Sequence, residues 1–144
     1  MRRIELEERQ HRTRVREMLD ELGAAPRPGR ERLMRVIGTT ISGLCRIGGW
    51  FVPMYGAGLL ESGNVREYEQ AARFAAVAGF THFVPDLLHM AEVEWDHERY
   101  FRSKVEGHWL ARLVPLWGAL PARTSIRDSF GLFEAGPEGD SAVQ

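Results

Sequence analysis

The chain has one cysteine among 144 residues, Cys45, so an internal disulfide and the usual zinc-finger spacings are excluded. It has almost no net charge, a formal −1 at pH 7, which argues against a generic polyanion binder and leaves nucleic acid off the list of expected partners. The start, Met1-Arg2-Arg3-Ile4-Glu5, lacks the apolar core of a secretory signal, so the cytosol is the expected compartment. No segment alternates with period two for long enough to build a sheet, and there is no phosphate-binding glycine loop or nucleophile elbow. Long apolar runs are scarce too. Only Val36–Leu60 has the length to span a bilayer, and Arg46, Gly48-Gly49, Pro53, Gly56 and Gly58 interrupt it. It reads first as a core helix. A partner-facing helix or a peripheral membrane contact is the alternative, helped by a basic N-terminal arm with ten Arg against seven acids in residues 1–35.

What is present is a globular composition, 44% hydrophobic and 27% charged, at a length that suits one domain. Ile4, Val15, Met18, Leu19 and Leu22 give residues 4–22 a thin helical stripe that Gly23 ends. A Pro/Gly-rich loop over 24–29 leads to a second helix from about Arg30 to Gly48-Gly49. Trp50 to Gly79 follows as a helix that Gly63 could interrupt. Thr81 is the candidate N-cap of the next helix, with Pro85 in its first turn, and Phe83 to about Glu106 is the clearest helix of all. Beyond Gly107, Pro115, Gly118 and Pro121 break the pattern. The expectation is an all-α helical bundle: a single domain over 1–135, with a basic helix and loop at 1–29, core helices at 30–107, an irregular segment at 108–135, and a flexible tail at 136–144.

One constellation points to chemistry. Glu94-x-x-His97 places a carboxylate and an imidazole on one helical face, within reach of a common iron, manganese or zinc ion. By itself the pattern is weak, and a solvated charged face is the better reading. The preceding helix strengthens it, because Glu61 and Tyr68 share a face with Ala72, Ala75 and Gly79. The next helix sets Glu94 and His97 among Val84, Leu87, Ala91 and Phe101. Two carboxylates on facing apolar stripes need a cation or a shared proton.

The run Glu61, Tyr68, Ala72, Ala75, Gly79, Leu87, Ala91, Glu94, His97 resembles a rubrerythrin-type, ferritin-like half-bundle. The phrase from Met90 to Phe101 is similar to the matching helix of the demethoxyubiquinone hydroxylases, diiron monooxygenases acting on a membrane-borne quinone. The resemblance covers residues 54–106. It implies that Glu61, Glu94 and His97 are iron ligands and that the chain activates O2 or peroxide as an oxidoreductase; Tyr68 reads equally as a residue behind Glu61 or as simple packing.

Such sites use two lone Glu and two Glu-x-x-His, and no second pair follows His97. Upstream, Glu8-Arg9-Gln10-His11 has the pattern. A hairpin of helices 4–22 and 30–48, however, sets Glu8 beside Leu44, Cys45 and Arg46, so a solvated face is the stronger expectation for Glu8 and His11. Symmetry offers the simpler completion and is the expected one: a homodimer contributing Glu61, Glu94 and His97 twice would hold two iron ions, or manganese, per dimer. The competing reading is a non-catalytic helical interaction module, with 1–35 and Ser125–Phe133 as docking elements. His82 and His89 read as surface histidines, His108 as a helix-end partner, Cys45 as core, and Trp50, Trp95, Trp109 and Trp117 as packing anchors.

Overall fold

The computed structural model describes residues 2–47 and 49–135, with the side chains of 44–47 and 135 outside the description. The chain is helical throughout the described residues: α1 (Arg2–Glu21), α2 (Pro28–Ile47), α3 (Phe51–Val77), α4 (Val84–Val105) and α5 (Ser125–Ala135). Short 3-10 turns lie at Thr81–Phe83 and Trp109–Arg112. The tail at 136–144 lies outside the described residues, as does the Cys45 side chain.

The helix ends follow from local chemistry. At the end of α1, Gly23 takes φ +62°, its N–H bonds the Asp20 carbonyl at 3.0 Å, and the Ala24 N–H bonds that of Leu19 at 2.8 Å. The same Schellman closure ends α3: Gly79 has φ +86°, and the Phe80 N–H reaches the Ala75 carbonyl at 2.8 Å. Thr81 does not cap α4; it opens the 3-10 turn, and no side chain caps α4, whose first turn carries Pro85 as expected.

The core lies along the antiparallel pair α3–α4. Ala72 and Ala91, both fully buried, let the two helices approach closely, and Val65, Leu87, Met90 and Trp95 fill the space around them. Met18 of α1 and Ile126 and Phe130 of α5 close this core from two sides. Toward the other end, Phe51, Val105 and Trp117 form a smaller cluster.

Several expectations need correction. Gly63 does not interrupt α3, which runs unbroken for 27 residues; a glycine costs a helix interior only about 1 kcal/mol, which packing on α4 outweighs. The region 108–135 is not irregular throughout. Ile126 and Phe130, four residues apart, give α5 a buried edge, and the bidentate contact of Arg127 on Glu92 ties it to α4. Ile126 and Phe130 thus pack within their own chain, while Leu132 and Phe133 remain exposed. The loop before α5 is pinned as well: the Trp95 Nε1–H donates to the Pro121 carbonyl at 2.9 Å, and Arg102 donates to the carbonyls of Trp117 and Gly118 at 2.9 Å.

The expected core helix at 36–60 is not one. Along α2, Leu33, Met34, Val36 and Ile37 are 37–57% exposed, and Val52, Leu59 and Leu60 of α3 are exposed too. Among the tryptophans only Trp95 and Trp117 are buried; Trp50 and Trp109 stand largely in solvent. His108 caps the 3-10 turn through its side chain, and its ring stacks on Phe51 at 4.6 Å.

Gly58 and Gly63 offer a direct test of the packing. A Cβ at Gly58 would overlap the Trp117 ring, whose indole N–H donates to the buried Glu98 at 2.8 Å, whereas a Cβ at Gly63 meets nothing within 4 Å. Gly58→Ala should therefore lower stability by about 1–2 kcal/mol, because overpacking of about 1–3 kcal/mol exceeds the helix-propensity gain. Gly63→Ala should raise stability by up to about 1 kcal/mol. Urea titration of both variants reads the difference, and equal effects would show that Trp117 does not sit against α3.

Candidate metal centre

Three helices bring carboxylates and an imidazole to one place. α1 supplies Glu8, α3 Glu61, and α4 Glu94 and His97; one ligand atom from each lies within 4.8 Å of all the others. On α3, Glu61 continues the buried stripe of Gly58, Val65, Ala72 and Ala75. On α4, Glu94 and His97 belong to the stripe that also buries Leu87, Met90, Ala91 and Phe101. Packing these helices therefore buries the polar groups with the apolar ones. Glu94 is 1% exposed and His97 3%.

Glu8 and His11 also stand here, His11 buried and Glu8 half-exposed with its Oε1 turned inward. His11 is buried, and its Nδ1–H donates to Glu94 Oε1 at 3.0 Å. Glu8 Oε1 lies 3.5 Å from His97 Nδ1. The expectation of a solvated face failed because α1 does not form the hairpin with α2 on which it rested; α1 packs on α4. Arg14 donates to Asp86 at 2.6 Å, His82 pairs with Glu21 at 2.6 Å, and Met18 enters the α3–α4 core.

The electrostatics are those of a cluster holding protons where a cation would fit. Burial, then the neighbouring carboxylates of Glu94 and Glu8, pushes Glu61 up to about 9. For His97, burial opposes the charged form, but Glu8, Glu94 and Glu7 outweigh it and raise the imidazole to about 10. Glu94 is held well below the usual carboxylate range: against the upward push of burial, His11, His97 and Glu61 favour its ionised form. Asn64 donates to Glu61 Oε2 at 3.1 Å. Tyr68 is half-buried with its ring edge-on to His11 at 5.9 Å, and burial with the nearby carboxylates drives its phenol upward.

Three buried atoms at the centre have no hydrogen-bond partner: Glu8 Oε1, Glu94 Oε2 and His97 Nδ1. His97 Nδ1 is 3.5 Å from the first and 3.6 Å from the second, too far for good hydrogen bonds. Ligands about 2.1 Å from a shared ion stand roughly 3 to 3.5 Å apart, so the spacing suits a common cation. The donor set, three carboxylates and an imidazole with a second imidazole alongside, suits iron, manganese or zinc.

Beside the cluster, α1 and α4 enclose an open cleft of about 510 Å³ whose wall includes Arg3, Ile4, Val93, His97 and Tyr100. His89 is exposed and takes no part. Sequence reasoning missed Glu7, whose Oε2 accepts from His97 Nε2–H at 3.0 Å, and Asn64. A signal for α1 was available: the stripe Ile4, Val15, Met18 has a gap at helical spacing that Glu7/Glu8 and His11 fill.

Comparison with known proteins gives no significant match to a family profile, a curated protein or a solved structure, so the reading of this centre rests on its own geometry.

The raised values carry a pH dependence for the metal-free protein. A group whose folded-state value exceeds its unfolded one contributes stability that is fully present below the unfolded value and lost as pH rises through the folded one. For His97 that window runs from 6.5 to about 10, and for Glu61 from 4.5 to about 9. The thermal midpoint of metal-free protein should therefore fall between pH 7 and 9, and Glu61→Gln should flatten the slope. Midpoints that rise over this range would contradict the clustered geometry.

Proposed function

We propose that the chain is a metal-dependent, ferritin-like oxidoreductase whose centre binds two iron ions, with manganese as the alternative metal. The observation that carries this reading is the convergence of three orphaned buried donor atoms on one point, contributed by α1 and α4. Leaving carboxylate oxygens buried and unpaired costs several kcal/mol, and a divalent cation removes that cost. Two Glu-x-x-His pairs, Glu8/His11 and Glu94/His97, together with Glu61 amount to five of the six side chains that such bundles use.

Paired ferrous ions held here would supply the chemistry of O2 or peroxide activation. The chain's own residues do the rest. Glu8, Glu61, Glu94 and His97 would hold the first ion, and His11 faces the other oxygen of Glu94. The α3–α4 core excludes water from one side, while the cleft between α1 and α4 offers approach from the other. Its wall sets Ile4, Val93 and Tyr100 among the charged Arg3, Glu7, Asp96 and Arg99 and has room for an organic substrate, so a hydroxylase of the demethoxyubiquinone hydroxylase type is the first reading and a peroxide-consuming, rubrerythrin-like role the alternative.

With Glu8 and His11 in place, the donors gather within one chain, and sharing Glu61, Glu94 and His97 across a two-fold axis is not needed to assemble them. A homodimer would serve instead to cover the exposed apolar side chains of α2 and α3. That exposed face also favours the second reading, a helical interaction module. No described helix is long and apolar enough to cross a membrane, so any lipid contact would be peripheral.

Metal analysis after anaerobic ferrous loading, coupled to sizing, tests this reading. The ratio should approach two ions per chain, and His11→Ala should reduce it to about one. Glu94→Ala and His97→Ala should abolish stable binding with helical content retained. One ion per chain, unchanged by His11→Ala, would restore the shared two-fold site. Protein free of metal under these conditions would leave the interaction module.

A further inference from the structure

α1 lies across the centre, yet little apolar surface holds it there. Of its 20 residues only His11 and Met18 are buried, and Val15 adds a partly buried side chain against the core. Open clefts flank the helix on both sides. One, of about 510 Å³, lies between α4 and the side chains of Arg3, Ile4 and Glu7; the other, of about 320 Å³, is lined by Val15, Leu19 and Tyr68 of α3. The chain then continues through residues 22–27 into α2, whose residues 28–43 are exposed apart from the half-buried Ile41. α2 therefore adds little buried surface to the hold on α1.

Polar contacts do the holding instead: Arg14 with Asp86, Glu21 with His82, His11 with Glu94 and Glu7 with His97. The first two pairs have side chains 39–54% exposed, where an ion pair contributes little. Glu8 makes no hydrogen bond in return for its position. Its Oε1 is buried without a partner, 3.5 Å from His97 Nδ1, and the carboxylates of Glu61 and Glu94 lie within 4.8 Å. A cation at this point would change what Glu8 does. It would join a carboxylate of α1 to one of α3 and one of α4, cross-linking three helices through one ion.

We propose that α1 is a strap whose closure is governed by the metal: without an ion it opens and recloses on α4, admitting the ion beneath it, and a bound ion locks it by tying Glu8 to Glu61 and Glu94. The proposal rests on the metal reading above. An ion that binds the closed form better than the open one shifts α1 toward closure by that difference in affinity. The ion also leaves through the open form, so whatever loosens α1 speeds its release.

Amide hydrogen exchange of the full-length chain, metal-free and saturated with zinc alone at one pH, tests the strap. An undocked helix of this length protects its amides weakly, so protection along α1 reports docking. In the metal-free chain α1 should exchange at least about tenfold faster than the α3–α4 core. Zinc should slow α1 by about tenfold or more and change α5, which carries no ligand, by less. Glu8→Gln should bind zinc more weakly through Glu61, Glu94 and His97, and that zinc should no longer protect α1. Arg14→Ala leaves every ligand in place; it should speed zinc release to a chelator about two- to fivefold and leave the number of ions at saturation unchanged. Zinc bound to the wild type with no gain along α1, or with an equal gain in α1 and α5, would overturn the strap while the metal reading stands. So would full protection of α1 by zinc in Glu8→Gln. Should Glu8→Gln hold no zinc, Arg14→Ala decides, and an unchanged release rate overturns the strap. Failure of the wild type to bind zinc, iron or manganese would overturn the metal reading and the strap with it.

Discussion

Like charge packed into a small, largely buried space governs the centre of this fold. Glu8, Glu61 and Glu94 crowd around one imidazole, and two of the three are buried by the packing that makes the α3–α4 core. Without a cation the cluster persists by retaining protons: Glu61 and His97 both hold them past neutrality. Such an arrangement spends stability that a plain apolar core would keep, since removing charged groups from water costs several kcal/mol each. Under the proposed metal reading, a divalent ion would reverse that balance, and the like-charge proximity of the metal-free state would serve as its ligand set.

The rest of the molecule can be understood as support for that cluster. Ala72 and Ala91 bring α3 and α4 close enough for Glu61 and Glu94 to face a common point. α5 and the loop before it brace the outer side of α4 through Arg127–Glu92, Trp95–Pro121 and Arg102 on the 117–118 carbonyls. α1 is attached differently. Only Met18 enters the core deeply, and much of its hold on α4 is polar, through Arg14–Asp86, His11–Glu94 and Glu7–His97. Two of those three contacts involve the cluster, so α1 is the helix whose docking most depends on what occupies the site. α2 lies against α3, where Arg30 pairs with Glu67 at 3.5 Å, and leaves Leu33, Met34, Val36 and Ile37 exposed.

The all-helical class, the ends of α1 and α3, and the pairing of α3 with α4 were legible along the chain. Each is a local matter: glycines able to take positive φ, a 3.6-residue apolar period, and small residues repeating on one face. Glu61, Glu94 and His97 were legible for the same reason, as polar exceptions within two apolar stripes. α5 was not, because its helical signal is only Ile126 and Phe130 in a short segment, and its stability comes from α4 through Arg127. Gly63 misled in the opposite direction, its local penalty being small beside the packing of a 27-residue helix.

What the sequence determined by itself was therefore which residues could share a helical face; that depends on spacing alone. Which faces meet was decided only by the tertiary structure. The pattern Glu8-x-x-His11 was readable, but its role turned on whether α1 lay against α2 or against α4, and no period within α1 distinguishes the two. The Pro26 loop made a hairpin with α2 look natural, yet the burial of Met18 and the ion pair of Arg14 with Asp86 set α1 on α4 instead. The approach of Glu7 and Glu8 to opposite sides of the His97 ring was further out of reach, since adjacent residues on a helix point about 100° apart and their targets exist only once another helix places a ring between them.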